Sequence, residues 1–245
     1  MKKRYTLKRP VTALAKMQFT EFEMLIAGIY RETDALIEGM STDAICKKGC
    51  AQCCNIPVHT TRIEAAYIAK FMMRRYSVKE RLAVGRHLEA LRERYKREIS
   101  DSFTVIPTTR SAPPVSNDLP ELSLVYQVKP FPMRCPFLIN NLCSIHPVRP
   151  FICRTYLSEN FVDCREAQIT PIMQTERYSL PVSMLKQRLY DATIDFEAEC
   201  SRLSGTPRVS IEETPFFRFI ATTERGEMAI LTSTGSSKLA WLQIS

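Results

Sequence analysis

The sequence predicts a mainly α-helical fold packed around a cysteine-rich loop and hairpin, with little β-structure. Three observations carry that prediction. Apolar residues recur at three- and four-residue spacing over several long stretches. Two capping-box patterns, Thr61–Glu64 and Ser77–Glu80, mark helix starts. Eight of the nine cysteines fall between residues 46 and 164. The chain has 245 residues, 45% of them hydrophobic, an ordinary globular share that excludes wholesale disorder.

Residues 1–10 read as a basic tail ending at Pro10. From 12 to 40 the stripe Leu14, Met17, Phe22, Leu25, Ile26, Ile29 and onward to Met40 predicts a long amphipathic helix, interrupted near Gly28. The Thr61 capping box opens a second helix with Ile63, Tyr67, Ile68, Phe71 and Met72 inward. Ser77 starts a third, to about Ile99, with the stripe Val84, Leu88, Leu91 and Tyr95. Six prolines over 101–134 and no helical period predict a long loop, with a short strand at 122–128. Asn140-Asn141 between two short apolar runs predicts a small hairpin over 137–145. Pro181 opens a last helix through Val182, Leu185, Leu189, Phe196 and Leu203. A strand is predicted at 228–232. The resulting division is a tail (1–10), a helical cysteine-cluster domain (11–205) with a Pro-rich insertion (101–134), and a C-terminal extension (206–245).

Several function classes drop out. The seven glycines are too dispersed for a dinucleotide fingerprint or a phosphate-cradling loop. Neither a His–Ser–Asp order nor H-E-x-x-H supports a hydrolase. The basic N-terminus lacks an uninterrupted apolar core, since Lys8, Arg9 and Lys16 break it, and no apolar run reaches the ~18 residues of a membrane span. A cytoplasmic location is therefore expected. In a reducing compartment clustered thiols read as metal ligands or redox groups rather than disulfides. The formal charge of +8 counts every cysteine as neutral. Metal-bound thiolates would cancel much of it. The arginines of the third helix are interspersed with Glu80, Glu89, Glu93 and Glu98, a solvated helix face, so nucleic acid is not the expected partner.

The first thiol group, Cys46-Lys-Lys-Gly-Cys50-Ala-Gln-Cys53-Cys54, places four sulfurs in nine residues. On a helix, Cys46, Cys50 and Cys54 would share a face; with a tight turn at Gly49, Cys50 and Cys53 would form a two-thiolate knuckle. The second group, Cys135, Cys143 and Cys153, lies on a proline-stiffened segment with His146, Arg149, Pro150 and Arg154 interspersed. Arg149 and Arg154 are candidate cofactor-binding neighbours whose charge would offset a multi-thiolate site.

Together the two groups resemble the YkgJ-type cysteine-cluster family, described as a zinc- or iron-chelating domain, over about residues 46–154. The resemblance implies metal ligands at Cys46, Cys50, Cys53, Cys54, Cys135, Cys143 and Cys153, with Arg149, Pro150 and Arg154 in the same signature. A similar domain occurs in bacterial flagellin lysine methylases, where an iron–sulfur centre has been proposed. Cys164 is a candidate eighth ligand or a packing residue. Cys200 lies on the apolar stripe of the last helix and reads as core. His146 reads as structural or as a hydrogen-bonding neighbour of the site, and His59 as a neighbour of Cys54.

The expected function is metal binding, of zinc or of iron including an iron–sulfur cluster, with the two thiol segments meeting at a common ion. Two four-ligand sites, one cluster with spare redox thiols and a three-ligand site with an open position are all compatible with the count. The alternatives are a cluster-dependent redox or group-transfer enzyme acting on a protein side chain, with a protein partner, and a nucleic-acid-associated zinc protein.

Overall fold

The computed structural model describes residues 19–39, 49–98, 105–107, 131, 133–156, 180–204, 210–212, 214–223, 225–231 and 241–243. These form five α-helices and nine short strands: a mainly helical protein with small β content. The helices are α1 (Thr20–Gly39), α2 (Arg62–Arg75), α3 (Val78–Glu98), α4 (Phe151–Thr155) and α5 (Leu180–Ser204). The strands are β1 (His59–Thr60), β2 (Val105–Pro107), β3 (Leu138–Ile139), β4 (Leu142–Cys143), β5 (Ser210–Glu212), β6 (Thr214–Pro215), β7 (Ile220–Thr222), β8 (Met228–Leu231) and β9 (Trp241–Gln243).

Helix α2 is the centre of the molecule. Its residues from Arg62 to Ala66 are all buried, and Ala65, Ala66 and Ala69 let neighbours approach on several sides. On one side lie α1 and α5, packed against each other; on the other lies the antiparallel sheet β7-β8-β9, which α3 also covers. One apolar cluster joins these layers, from Phe19 and Phe196 through Ile68 and Met72 to Phe217 and Ile230.

Both predicted capping boxes are present. Thr61 donates its backbone N–H to Glu64 Oε2 at 2.9 Å, and Ser77 does the same to Glu80 Oε2 at 2.7 Å. The predicted break near Gly28 is absent: α1 runs through it. Ile26, Ile29, Tyr30 and Thr33 are buried on either side of the glycine, and that burial outweighs the ~1 kcal/mol a helical glycine costs. Gly85 of α3 has a reason of its own. A Cβ there would stand 2.4 Å from Thr222 Oγ1, so the glycine sets how closely α3 approaches β7.

The Asn140-Asn141 hairpin forms as expected, with Leu138 opposite Cys143, Ile139 opposite Leu142, and both asparagines at positive φ (50° and 59°). The loop predicted over 101–134 is not wholly irregular. β2 lies within it and pairs antiparallel with β5, about a hundred residues away. No local pattern marks a three-residue strand with so distant a partner. The strand predicted at 122–128, the tail 1–10, and the first part of the 12–40 helix lie outside the described residues. The predicted strand at 228–232 is β8.

Candidate metal centre

Six of the seven described cysteines fall in two sequence segments, 50–54 and 135–153, that the fold joins directly. All seven are free thiols. After Gly49, held at φ 90°, the chain makes a 3₁₀ turn over Cys53–Asn55. A backbone ladder ties this turn to the second thiol segment: the Cys135 N–H donates to Cys54 C=O at 2.8 Å and the Met133 N–H to Asn55 C=O at 2.9 Å. Those two bonds bridge about eighty residues of sequence. Cys143 follows on β4, and Cys153 on α4.

The thiols perturb one another. Cys53 is raised far above the usual thiol range by a side-chain hydrogen bond with Cys54, then by burial. Burial pushes Cys135 up to about 12, and Cys143 and Cys53 push the same way. Cys143 is raised by burial and by Cys53. Cys153 is raised well above its ordinary value, first by burial and then by Cys135, Cys53 and Cys143. Cys53, Cys135, Cys143 and Cys153 therefore lie within electrostatic reach of each other, from both sequence groups. Metal-free, they are neutral thiols.

Arg149 opposes this trend. Its guanidinium favours the thiolate at Cys53, Cys143 and Cys153. Its Nε is buried and has no hydrogen-bond partner among the described residues. Arg154 is deployed differently. It is 3% exposed and donates to Arg149 C=O at 3.0 Å, to Pro147 C=O at 2.6 Å and to the Asp34 carboxylate, with its guanidinium 4.1 Å over the Tyr30 ring. It clamps the 147–149 turn to α1, while its charge also reaches Cys143.

Cys46 and Cys164 lie outside the described residues. Among the described residues no three His, Cys, Asp or Glu side chains are placed so as to hold an ion. His146 is exposed at the start of a 3₁₀ turn. Cys200 is fully buried in the core among the helices, as its place on the stripe predicted. His59 is held near pKa 4 by burial and then by Arg218; no thiol is among the groups that shift it.

Sequence reasoning read Glu64 only as a local cap. It is 3% exposed and joins three helices. Besides Thr61 it accepts from the Tyr30 hydroxyl at 2.9 Å and from the Phe151 backbone N–H at 2.7 Å, the first residue of the helix that carries Cys153. The Thr61-x-x-Glu64 pattern named the carboxylate; nothing local could have named the other two donors.

The chemistry of the donor set fits zinc or iron. Sulfur donors are soft and suit zinc and iron–sulfur centres. Half-buried thiols that resist ionisation need positive charge in order to ligate, and the Arg149 guanidinium, with an unused N–H, favours the charged form of three of them. Thiols gathered by a helical frame, with the half-buried Arg149 guanidinium favouring their charged form, define the class of cysteine-rich metal-binding domains. A family model, that of the CxxCxxCC domain, described as a proposed zinc- or iron-chelating domain, matches residues 45–178, and the chain belongs to that family. No curated protein and no solved structure shows significant similarity to the chain. No helix among the described residues is long and apolar enough to cross a membrane.

Proposed function

We propose that this protein binds zinc or iron through thiolates drawn from both segments, from Cys46, Cys50, Cys53 and Cys54 in the first and from Cys135, Cys143, Cys153 and Cys164 in the second. The observation that carries the reading is the pair of backbone hydrogen bonds, Cys135 N–H to Cys54 C=O and Met133 N–H to Asn55 C=O, that joins the two thiol segments, with Cys53 close enough to raise Cys135, Cys143 and Cys153. Arg149 stabilises the thiolates, and its unused Nε–H is available to a ligating sulfur. Free vicinal and clustered thiols suit a reducing compartment, and we place the protein in the cytoplasm. A bound metal supplies the positive charge that lets buried thiolates persist; it joins the 53–54 turn to the hairpin and to α4.

The test is metal analysis and an absorbance spectrum after anaerobic purification, on the wild type and on Cys50→Ser, Cys143→Ser and Cys200→Ser. Zinc leaves the visible region clear and an iron–sulfur cluster colours it. The first two variants lose metal and thermal stability together, and Cys200→Ser keeps its metal. Unchanged stoichiometry in both Cys50→Ser and Cys143→Ser overturns the reading.

A further inference from the structure

We propose that Glu64 is the positioning residue of the metal centre, setting where Cys153 sits without touching the metal. The inference rests on the metal-binding reading and extends it to a residue outside the cysteine signature.

Helix α4 is five residues long, from Phe151 to Thr155. A helix of that length does not stand alone in water. Its N-cap is Pro150, which makes no side-chain capping bond. The Phe151 N–H is one of the N-terminal donors that a helix leaves unsatisfied, and Glu64 supplies its acceptor from another helix, 87 residues away in sequence, at 2.7 Å. Cys153 lies two residues further on. The contact thus anchors α4 at its start, and Arg154, one residue after Cys153, anchors it to α1.

The carboxylate is itself held. Oε1 also accepts from Tyr30 of α1, and Oε2 accepts from both the backbone N–H and the hydroxyl of Thr61. All four partners are donors, so the site is built for an acceptor-only group. Tyr30 in turn lies under Arg154, which holds the carbonyls of Pro147 and Arg149. Glu64, Tyr30 and Arg154 form a continuous frame around the segment that bears Arg149 and Cys153. An amide at position 64 keeps the shape but must point an NH₂ at donors, from whichever end it is placed.

Glu197 provides a matched control. It is also a buried carboxylate, on α5, facing Arg62 at 2.6 Å. Glu64→Gln and Glu197→Gln make the same chemical change in the same core. Zinc(II) affinity of each folded protein is measured by competition with a chromogenic chelator, and cobalt(II) spectra are recorded on the same samples. Loss of an outer hydrogen-bonding partner of a metal site typically costs 10–100-fold in affinity. We expect a loss of at least about tenfold with an altered cobalt(II) spectrum for Glu64→Gln. Glu197→Gln lowers the melting temperature but leaves affinity within about twofold. If Glu64→Gln does not fold, Tyr30→Phe removes one of the four donors and leaves the carboxylate. It is expected to weaken zinc binding in the same direction and to shift the cobalt(II) spectrum less. Wild-type affinity and spectrum in whichever of these variants folds overturns the proposal, and so does an equal loss in Glu197→Gln. A wild-type protein that binds no metal defeats the metal reading instead, so the two failures are distinct.

Discussion

The pH dependence of metal binding is the sharpest consequence of the thiol environment. In the metal-free protein Cys135 ionises only near pH 12, and Cys53, Cys143 and Cys153 are all raised above the ordinary thiol value of 9.0. From pH 6 to pH 8 all four are protonated. Each one that becomes a ligand must release its proton, so each adds one to the slope of log affinity against pH. At pH 7 Cys135 lies five pH units below its pKa, and removing its proton costs on the order of 7 kcal/mol before any metal bond forms. With four such ligands affinity rises about 10⁴-fold per pH unit, equivalent to about 5 kcal/mol. The sign is fixed: binding strengthens as pH rises.

The assay is chelator competition at a series of pH values between 6 and 8, corrected for the chelator's own protonation. Wild type is expected to give a slope of four or more, and Cys135→Ser a slope lower by one, because one proton no longer has to leave. A wild-type slope of two or less, or an unchanged slope in Cys135→Ser, refutes the argument that these buried thiols are the ligands.

Two further predictions concern the frame. Arg62→Met removes the guanidinium that both carboxylate oxygens of Glu197 face at 2.6 Å in the core, and is expected to cost about 3–5 kcal/mol in urea unfolding. Arg62→Met/Glu197→Leu recovers most of that loss; a single-variant cost below about 1 kcal/mol contradicts a dry ion pair. The glycines of α1 and α3 should respond in opposite ways. Gly85→Ala drives a methyl into Thr222 and costs about 1–3 kcal/mol. Gly28→Ala meets nothing within 4 Å and stabilises by roughly 0.5–1 kcal/mol, both read from thermal melts.

What the sequence discloses here is what local physics decides. The two capping boxes, the Asn140-Asn141 turn and the stripe Leu88, Leu91, Tyr95 need only neighbours a few residues apart, and each stands where it was expected. Tyr67 and Phe71, expected inward, are half-buried, because α2 is wrapped on several sides and its stripe is set by what surrounds it. The thiol spacing named the metal chemistry. It could not say that Arg149 stands beside the sulfurs while Arg154, five residues on, reaches back to Asp34 of α1. Nor could it pair β2 with β5 or deliver Glu64 to Phe151, since those contacts depend on how the whole core closes.

The same distinction explains how such a site is built. Thiols buried together repel as anions and gain little as neutral groups, so nothing in their own chemistry assembles them. Here other bonds do that work. Backbone hydrogen bonds from Met133 and Cys135 hold the 53–55 turn, Tyr76 holds the hairpin through Ser144, and Glu64 holds α4. These bonds link groups that carry no sulfur ligand charge, and they rest on a core whose apolar residues come from every layer of the fold. The frame therefore brings the thiols together in their protonated state. On the proposed reading the metal enters by exchanging its charge for their protons. Arg149 lowers the cost of that exchange at three of the four sulfurs and does not reach Cys135, where burial, ahead of Cys143 and Cys53, pushes the thiol up to about 12.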